Sequence, residues 1–382
     1  DLTVILQSGE AIRASDWYLP ALLLILLGAF TKSAQFPFQF WLPHAMAAPT
    51  PVSAYLHSAT MVKAGIFLMA RLWPVLSGTP EWFWIVTSAG LITMVLGAVI
   101  GLFKDDLKAL LAFSTVSHLG LITMLLGFGT KAAATVAVFH IVNHASFKAA
   151  LFMAAGIVDH EAHTRNIKRL GGLRHLMPIT FAITTIAGLS MAGLPPFNGF
   201  LSKEMMLEEA AHTAPWVIPA LVLLGATFSV AYSFRLISHT FLGPKRNDYP
   251  HLPHDPGFGL WGAPAFLAAL VVLIGLMPMT FAGWIVEAAA SAVTASPVTA
   301  KIYHWHGLHS PALWMSLAAV GGGLVLLALH GGLDRLWQAT PRPEGKRIFD
   351  ALMGLLTRLA GGVTKRLHGG ALGQYLALAT IT

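Results

Sequence analysis

The chain has 382 residues, of which 55% are hydrophobic and 11% are charged, and its mean hydropathy is +0.67. A soluble domain carries about 25% charged residues because water must wet its surface, so these values exclude a soluble globular protein. The absence of cysteine excludes disulfide bonds and thiolate metal sites. The formal net charge is +7. Because the positive residues lie in short loops between apolar runs, we attribute the excess to membrane orientation and predict no nucleic-acid partner.

Nine apolar runs approach the roughly 20 residues that a membrane-spanning helix needs. They are rich in Ala, Leu and Gly and lack an alternation of period two. Since lipid admits only helices or closed barrels, we predict an all-α polytopic membrane protein. The predicted crossings are 17–36, 52–73, 82–103, 107–128, 132–157, 175–211, 215–241, 260–282 and 312–331.

The loops between these runs predict an orientation in the cell membrane. Cytoplasmic loops carry an excess of Lys and Arg. Alternating crossings gather twelve lysines and arginines on one side, whereas the other side carries only Arg71, Lys131 and Lys301. We therefore predict that the first side is cytoplasmic; its loops are 104–108, 159–174, 243–259 and 332–347.

Two of the runs, 17–36 and 175–211, are interrupted by proline. Proline removes a backbone donor and clashes with the preceding turn, and freed backbone groups at membrane depth survive only inside protein or beside water. A pair of discontinuous helices indicates an inverted-repeat transporter, although two kinked helices without a transport role remain an alternative. The residues at the breaks are Pro37, Pro195 and Pro196, with Lys32 just before the first break and Lys203 and Glu204 just beyond the second.

Residues 345–367 have a different pattern. Apolar residues recur near helical spacing, with lysines and arginines between them. A basic amphipathic stretch of this kind lies along a membrane surface rather than across it. We predict a lateral helix on the cytoplasmic side, followed by the start of a further helix.

Many ionisable residues lie within or beside the apolar runs. A charge at the centre of a bilayer costs about 2.5–3.5 kcal/mol on insertion scales, so a set of this size indicates function, and we interpret it as one polar path. Its members are Lys32, His57, Lys63, His118, His140, His144, Lys148, Lys203, Glu204, Arg235 and His239.

His140, His144 and Lys148 form the most distinctive group. At positions i, i+4 and i+8 of a helix, the third lies only about 80° round from the first, so all three share one face. The favoured interpretation is a proton relay, because histidine titrates near neutrality and a desolvated lysine can release its proton. A zinc site and neutral histidines in structural packing are the alternatives.

The other candidates give weaker signals. His57 and Lys63 are six residues apart, or about 120° round a continuous helix. Glu204 is a candidate partner for Lys203, an acid at the membrane interface or a coupling acid. Arg235 either extends its charge to the membrane surface or belongs to the path.

Several short stretches of the sequence resemble the motifs of one known family, and they occur in the same order as in that family. They are Lys32-Ser33-Ala34-Gln35-Phe36-Pro37, Trp41-Leu42-Pro43, Ala48-Pro49-Thr50-Pro51-Val52-Ser53-Ala54, His57-Ser58-Ala59-Thr60-Met61-Val62, Lys108 to Thr115, Phe139 to Lys148, and Gly193 to Glu204. Across residues 17–241 they resemble the proton-pumping antiporter-like subunits of respiratory complex I and of Mrp-type cation/proton antiporters. The chain is most similar to the large (A) subunits of the Mrp-type Na⁺/H⁺ antiporters, and the complex I large antiporter-like subunits come second.

The resemblance implies an inverted-repeat helix bundle with Lys32 and Lys203 on its two discontinuous helices. It implies that protons move along the membrane midplane from lysine to lysine, through Lys32, Lys108 or Lys148, and Lys203. The intervening carriers would be His57, His140 and His144, and the extra Lys63 favours the Mrp branch. A non-transporting membrane scaffold is the alternative from another class.

The resemblance also implies a domain organisation. Residues 1–282 are part of the transmembrane core, with the end of the first repeat at 17–73, the second repeat at about 82–241 and a further helix at 260–282. Residues 283–382 add the crossing at 312–331, the lateral helix at about 345–367 and the start of another helix. The expected partners are other membrane subunits, H⁺, Na⁺ and the lipid bilayer, without a cofactor. In one departure from the family, no acid in 1–36 replaces the buried glutamate of an earlier helix that pairs with the lysine matching Lys32.

Overall fold

A computed structural model describes residues 1–213, 215–304, 307–342, 345–367 and 372–381. The chain divides into two compact units, Asp1–Trp337 and Gln338–Thr382. Apart from an isolated bridge between Asp106 and Asn166, the regular structure in the described residues is helical. The predicted all-α fold is confirmed.

The described α-helices are numbered in chain order. The first ten are α1 (Leu2–Gln7), α2 (Gly9–Arg13), α3 (Tyr18–Lys32), α4 (Trp41–His44), α5 (Thr50–Ser58), α6 (Ala64–Arg71), α7 (Trp73–Leu76), α8 (Pro80–Leu102), α9 (Leu107–Gly127) and α10 (Lys131–Ala162). The others are α11 (Pro178–Ala192), α12 (Asn198–Ala211), α13 (Val217–Phe241), α14 (Phe258–Leu276), α15 (Trp284–Thr294), α16 (Pro311–Ala328), α17 (His330–Ala339), α18 (Gly345–Leu367) and α19 (Leu372–Ile381).

Six of the predicted crossings contain one long apolar helix. Within the described residues, α8, α9, α10, α13, α14 and α16 are long and apolar enough to cross a membrane. They correspond to the runs that begin at 82, 107, 132, 215, 260 and 312. The other three predicted crossings contain only shorter helices separated by breaks, and these breaks distinguish the bundle from a set of plain spanning helices.

Both proline breaks are confirmed. The first helix, α3, ends at Lys32, and regular structure resumes with α4, which leads into a 3₁₀ turn at Ala45–Ala47. The second break follows α11, where Gly193 takes the left-handed conformation (φ +88°), and α12 begins at Asn198. The peptide bonds Phe36-Pro37 and Pro195-Pro196 are cis.

The run 52–73 is also broken, which the sequence analysis did not predict. Its first half, α5, ends at Ser58, and a 3₁₀ turn at Met61–Lys63 precedes α6. The hydroxyls of Ser58 and Thr60 donate to the carbonyls of Ala54 and Tyr55, and such bonds compete with regular helix bonding. The expected 120° relation between His57 and Lys63 on one continuous helix is therefore wrong.

The run 260–282 also divides, because its helix α14 ends at Leu276. Pro278 follows, and a π-helical turn at Met279–Gly283 leads directly into α15. Proline cannot supply the backbone donor that would continue α14. The prediction of one helix over 260–282 is therefore wrong at its C-terminal end.

Helix α10 lies at the centre of the first unit and packs against α5, α9, α11, α12, α14 and α15. Beside it, α8 and α9 approach each other at glycines. A Cβ atom on Gly90 would lie 2.3 Å from the backbone nitrogen of Met124, and one on Gly120 would lie 2.4 Å from that of Met94. Small residues permit this close approach where lipid provides no hydrophobic drive for association.

The loops predicted to be cytoplasmic meet at one end of the bundle, which we call the loop face. Buried Arg235 donates to Asp105 Oδ1 at 2.5 Å and to the carbonyls of Leu102 and Lys104. Lys168 Nζ lies 2.7 Å from Asp105 and 3.6 Å from Asp334. Loops 104–108 and 159–174 thus join α17 through ion pairs, and Arg235 is paired rather than extended towards solvent.

These ion pairs shift the titration of the loop-face groups. Partial burial tends to raise the pKa of Asp105, but hydrogen bonds from Lys168 and Arg235 outweigh burial and lower it. The hydrogen bond to Asp105 raises the pKa of Lys168. Loop 243–259 joins the same face because Arg246 Nη1 donates to the carbonyl of Lys168 at 2.8 Å. That these loops share one face is therefore confirmed, and their cytoplasmic location remains a prediction.

The predicted loop 332–347 is helical over most of its described length, because α17 continues to Ala339. Phe103 stacks on Trp337 with ring centroids 4.4 Å apart, which gives α17 an aromatic contact on the loop face. In the second unit, α18 covers the predicted amphipathic segment 345–367, and Lys346 pairs with Asp350 at 2.8 Å within it. Its lateral position remains a prediction, and α19 supplies the predicted start of a further helix.

Candidate proton-translocation site

The predicted group on α10 is buried at the centre of the bundle. His140, His144 and Lys148 are fully buried, as is Asn143 beside them. Asn143 Nδ2 donates to the carbonyl of Asn198 at 2.9 Å. This bond links α10 to the start of α12, so the predicted polar face of α10 meets the second helix break.

His140 forms a pair with His118 of α9. The Nδ1 atom of His118 lies 2.8 Å from Nε2 of His140, and the rings stack with centroids 5.1 Å apart. Nδ1 of His140 lies 2.9 Å from the hydroxyl of Ser202. Each imidazole therefore has one nitrogen towards the other ring and one nitrogen available for a different partner.

Lys203 connects to this pair through two hydroxyl groups on α13. Its ammonium donates to Ser229 Oγ at 2.7 Å, and Ser229 donates to the hydroxyl of Tyr232 at 2.8 Å. The hydroxyl of Tyr232 lies 3.3 Å from Nε2 of His118. We call the resulting hydrogen-bonded series the central chain; it consists of Lys203, Ser229, Tyr232, His118, His140 and Ser202.

The central chain has one consistent direction of donation. The network assigns both imidazoles as neutral Nδ1–H tautomers, because Nε2 of each receives the preceding donor and Nδ1 of each faces the following acceptor. Each hydroxyl and each imidazole accepts from one neighbour and donates to the next. A proton released by Lys203 can thus reach His118 as each member passes on its own proton, and His118 can then protonate His140.

Lys203 is held by the helix break itself. Its ammonium also donates to the carbonyls of Met191 and Ala192, at 2.6 and 3.2 Å. These carbonyls belong to the last turn of α11, where no helical partner remains and the helix dipole is negative. The three donors of its ammonium are thus directed to these two carbonyls and to Ser229.

Lys148 lies beside the central chain rather than in it. Its ammonium donates to Ser114 Oγ at 2.6 Å and to Met191 Sδ at 3.1 Å. Met191 thus contacts Lys148 with its side chain and Lys203 with its carbonyl. The two lysines are therefore connected through a single residue.

The remaining predicted residues lie at different distances from this centre. Lys63 is buried and donates to the carbonyl of Ile141 on α10 at 3.0 Å, and buried His57 packs near Phe152 with ring centroids 6.5 Å apart. Glu204 is buried on α12. Two of the lysines that the resemblance assigns to the proton path lie outside the cluster.

These two lysines are Lys108 and Lys32. Lys108, in the first turn of α9 near the loop face, is buried and donates to the carbonyl of Ala48 at 3.0 Å. Lys32 is exposed at the C-terminus of α3. The structure therefore brings the α10 group and Lys203 together, places Lys63 at the edge of the cluster and leaves Lys32 apart from it.

Sequence reasoning missed most of the linking residues. His118 was noted only as an ionisable residue in an apolar run, and its pairing with His140 was not foreseen. Ser202, Ser229 and Tyr232 gave no signal, because single hydroxyls are common in apolar helices. One indirect signal for His118 was available: a histidine in the middle of an apolar run needs a partner inside the bundle.

The helical bundle with a buried polar chain and two proline-broken helices defines an antiporter-like membrane protein. The sequence profile of the NADH:quinone oxidoreductase/Mrp antiporter transmembrane family matches residues 2–229. The chain belongs to this family, and it is a multi-pass protein of the cell membrane.

Named relatives refine the comparison. The chain is 50% identical over 360 residues to the probable A/B subunit of a K(+)/H(+) antiporter of Rhizobium meliloti, covering 93% of this chain and 35% of that protein. It is 44% identical over 356 residues to the A subunit of the Na(+)/H(+) antiporter of Alkalihalophilus pseudofirmus, covering 85% of this chain and 44% of that protein.

Among solved structures, the Mrp complex from Dietzia sp. contains a chain with a TM-score of 0.87 and 37% sequence identity. That match covers 97% of this chain and 41% of the solved chain. This chain therefore spans less than half the length of these relatives. The two named proteins are antiporter subunits, and thus transporters rather than enzymes, and they favour the Mrp branch over complex I.

Proposed function

We propose that this chain is the proton-conducting part of the large subunit of a multisubunit Na⁺/H⁺ antiporter, assembled with other membrane subunits. The central chain carries the proposal, because its members form an unbroken series of groups that accept and donate protons. The nitrogen and oxygen atoms of its buried ammonium, hydroxyl and imidazole groups lie 2.7–3.3 Å from one another, which is the hydrogen-bonded arrangement that proton transfer requires. The names of the relatives are the basis for proposing an antiporter and for choosing Na⁺ and K⁺ as the candidate cations.

Lys148 has the role of an electrostatic switch in this proposal. It is fully buried, and its hydrogen-bond partners in the described part of the chain are one hydroxyl and one thioether. Charge on its ammonium is therefore poorly compensated and acts strongly on Lys203, which contacts the same Met191. A proton on Lys148 then drives a proton from Lys203 into the central chain.

The test uses everted membrane vesicles that carry the whole complex, either wild type or with the Lys148→Ala substitution. Addition of Na⁺, or of K⁺ in a parallel series, to vesicles with an imposed pH gradient should collapse that gradient. We expect Lys148→Ala to slow the collapse by about 100-fold, because it removes the charge that drives a proton from Lys203 into the central chain. Lys245→Ala, at an exposed loop lysine, is the matched control and should leave the rate unchanged.

The other outcomes distinguish the alternatives. A response to K⁺ alone would support the proposal of an antiporter but identify K⁺, rather than Na⁺, as its cation. Inhibitor-sensitive pumping that depends on NADH, without a response to either cation, would place the chain in a complex I setting. Equal rates in Lys148→Ala and wild type, with both complexes fully assembled, would support a scaffold and contradict the proposed proton path.

A further inference from the structure

Helix α12 carries a row of titratable residues that leads from the buried core to the surface. Glu204, Glu208 and His212 follow one another at four-residue spacing, so each lies about 40° round the helix from the one before, on neighbouring turns. Their exposure rises along the row: Glu204 is 2% exposed, and the side chains of Glu208 and His212 are 28% and 69% exposed. The row begins one residue after Lys203, the start of the central chain.

The row ends at the face opposite the loop face. Helix α10 starts at Lys131 and runs towards loop 159–174 on the loop face, whereas α12 ends at Ala211, next to the start of α13 at Val217. Because α13 then returns to the loop face, His212 lies at the far end of the bundle. The proposed function requires a route between the central chain and this side of the membrane.

Glu208 has defined contacts at the middle of the row. Its Oε1 atom lies 3.0 Å from Nε2 of His212, and its Oε2 accepts a hydrogen bond from Ser310 Oγ at 2.7 Å. Ser310 is the residue before α16. One oxygen of Glu208 thus faces the exposed imidazole, while the other is fixed by a neighbouring helix start.

A cavity of about 390 Å³ opens beside Glu208. Its polar lining includes Glu208 and Glu209 of α12, Lys131 and Thr135 of α10, and Lys301. The charged groups around Glu208 are therefore His212 and Glu209 on its own helix, Lys131 on α10 and Lys301 on the segment before α16. This space is large and polar enough to hold several water molecules, which can deliver protons to Glu208.

We infer that Glu208 and His212 form the outer proton port of this protein, an extension that rests on the proposed function. Water in the cavity and the imidazole of His212 exchange protons with Glu208. Glu208 in turn exchanges protons with buried Glu204 on the preceding turn. The Cβ atoms of residues four apart on a helix, such as these two, are about 6 Å from each other. Glu204 and its neighbour Lys203 connect this port to the central chain. No bond other than those to the moving protons is made or broken.

Glu209 offers a matched control on the same helix. It lines the same cavity but lies about 140° round α12 from Glu204, so it is off the row, and its hydroxyl contact with Thr130 is long at 3.5 Å. A carboxylate lost at Glu209 changes the charge of the cavity as much as one lost at Glu208. A difference in rate between Glu208→Gln and Glu209→Gln therefore reflects the position of the lost carboxylate on the row and not the net charge of the cavity.

Ser310 offers a control for a purely structural role. If Glu208 served only to fix the start of α16, Ser310→Ala would remove its side-chain contact there, leave the backbone hydrogen bond of Ala312, and lower the rate as Glu208→Gln does. If Glu208 carries protons, Ser310→Ala leaves the carboxylate in place and transport continues. Glu208→Asp keeps the carboxyl group and should retain a substantial part of the activity.

The test measures cation-driven collapse of a pH gradient in vesicles of the whole complex, with each rate divided by the amount of assembled complex. We expect Glu208→Gln to lower the rate by about 100-fold, with Glu209→Gln and Ser310→Ala near wild type and Glu208→Asp within about tenfold. A wild-type rate in Glu208→Gln, while Lys148→Ala is inactive, would overturn the port and leave the proposed function intact. Equal losses in Glu208→Gln and Ser310→Ala, or in Glu208→Gln and Glu209→Gln, would also overturn it. An active Lys148→Ala complex would instead contradict the proposed function itself.

Discussion

Lys32 and Lys203 both lie beside a proline-broken helix, but their surroundings differ. Lys203 is buried, and its ammonium donates to two carbonyls at the end of α11 and to Ser229. Lys32 is exposed at the end of α3, and in the described part of the chain its ammonium has no hydrogen-bond partner. The same residue type next to the same kind of break thus gives one ammonium inside the bundle and one at its surface.

The difference comes from which half of the broken helix carries the lysine. Lys203 lies on the second half and reaches back to the open carbonyls of the first half. Lys32 is part of the first half, whose carbonyls are satisfied locally: the indole of Trp41 donates to Thr31, and the backbone nitrogen of Gln35 donates to Phe30. At the first break, a lysine from another helix has the corresponding contact. Lys108 of α9 donates to the carbonyl of Ala48, which follows α4 and its 3₁₀ turn. A lysine near a break is therefore held there only when it faces carbonyls that lack a helical partner.

The largest predicted effect separates the two lysines. Lys203→Ala should slow cation-driven proton transport by about 100-fold or more, because it removes the first donor of the central chain. It should also lower the thermal unfolding temperature of the purified complex. Two carbonyls and one hydroxyl lose their donor, and a buried acceptor left unsatisfied costs about 1–3 kcal/mol.

Lys32→Ala is the comparison variant for this experiment. The family resemblance implies a proton-carrying role for Lys32 as well, so transport should fall. An exposed substitution of this kind changes stability by no more than about 0.5 kcal/mol, so the unfolding temperature should stay at its wild-type value. Equal shifts in unfolding temperature for the two variants would show that the difference in burial has no energetic consequence.

The two breaks share a packing feature, which predicts an effect on stability. A Cβ atom on Gly199 would lie 2.0 Å from the carbonyl oxygen of Ser190, and one on Gly65 would lie 2.0 Å from that of Ala29. Both contacts are with backbone, which cannot rotate away. Gly199→Ala and Gly65→Ala should each destabilise the bundle by about 1–3 kcal/mol, the usual range for overpacking, as measured by thermal unfolding of the complex.

Gly28 provides the control for these two substitutions. It lies in α3, and a Cβ atom there would meet nothing within 4 Å. Gly28→Ala should be neutral or stabilise by about 0.5–1 kcal/mol, since alanine is the better helix former. If Gly199→Ala or Gly65→Ala behaved like Gly28→Ala, the close approach at that break would be contradicted.

Local features of the sequence predicted much of this fold. The lengths of the apolar runs located six spanning helices, and the proline strings located two breaks, because both depend on neighbouring residues. The four-residue spacing of His140, His144 and Lys148 correctly placed them on one buried face for the same reason. The distribution of lysine and arginine correctly grouped the loops that meet near Asp105 and Lys168.

The features that the sequence did not predict depend on contacts between distant segments. The pairing of His118 with His140 joins residues on two helices, and Tyr232 reaches His118 across the bundle from α13. No spacing rule connects such positions. The break after Ser58 was missed because its cause is hydroxyl bonding rather than proline, and the roles of the lysines and histidines in transport remain predictions.

The smallest predicted effect tests the link that distinguishes Lys203 from Lys32. Tyr232→Phe keeps the ring but removes the hydroxyl that joins Ser229 to Nε2 of His118. The loss of one hydrogen-bonded link of about 1.4 kcal/mol corresponds to about a tenfold slower collapse of the pH gradient. Tyr55→Phe, at an exposed tyrosine, removes a hydroxyl outside the central chain and should have no effect.

The size of the change in transport rate in Tyr232→Phe distinguishes two routes by which Lys203 can act on the rest of the site. A tenfold loss places proton transfer on the hydroxyl series of α13. A wild-type rate, together with an inactive Lys203→Ala complex, would exclude that series and leave the contact through Met191 to Lys148 as the connection to α10. In that case Lys203 would act on Lys148 through its charge. The inference that its proton passes along the hydroxyl series to His118 would then be wrong.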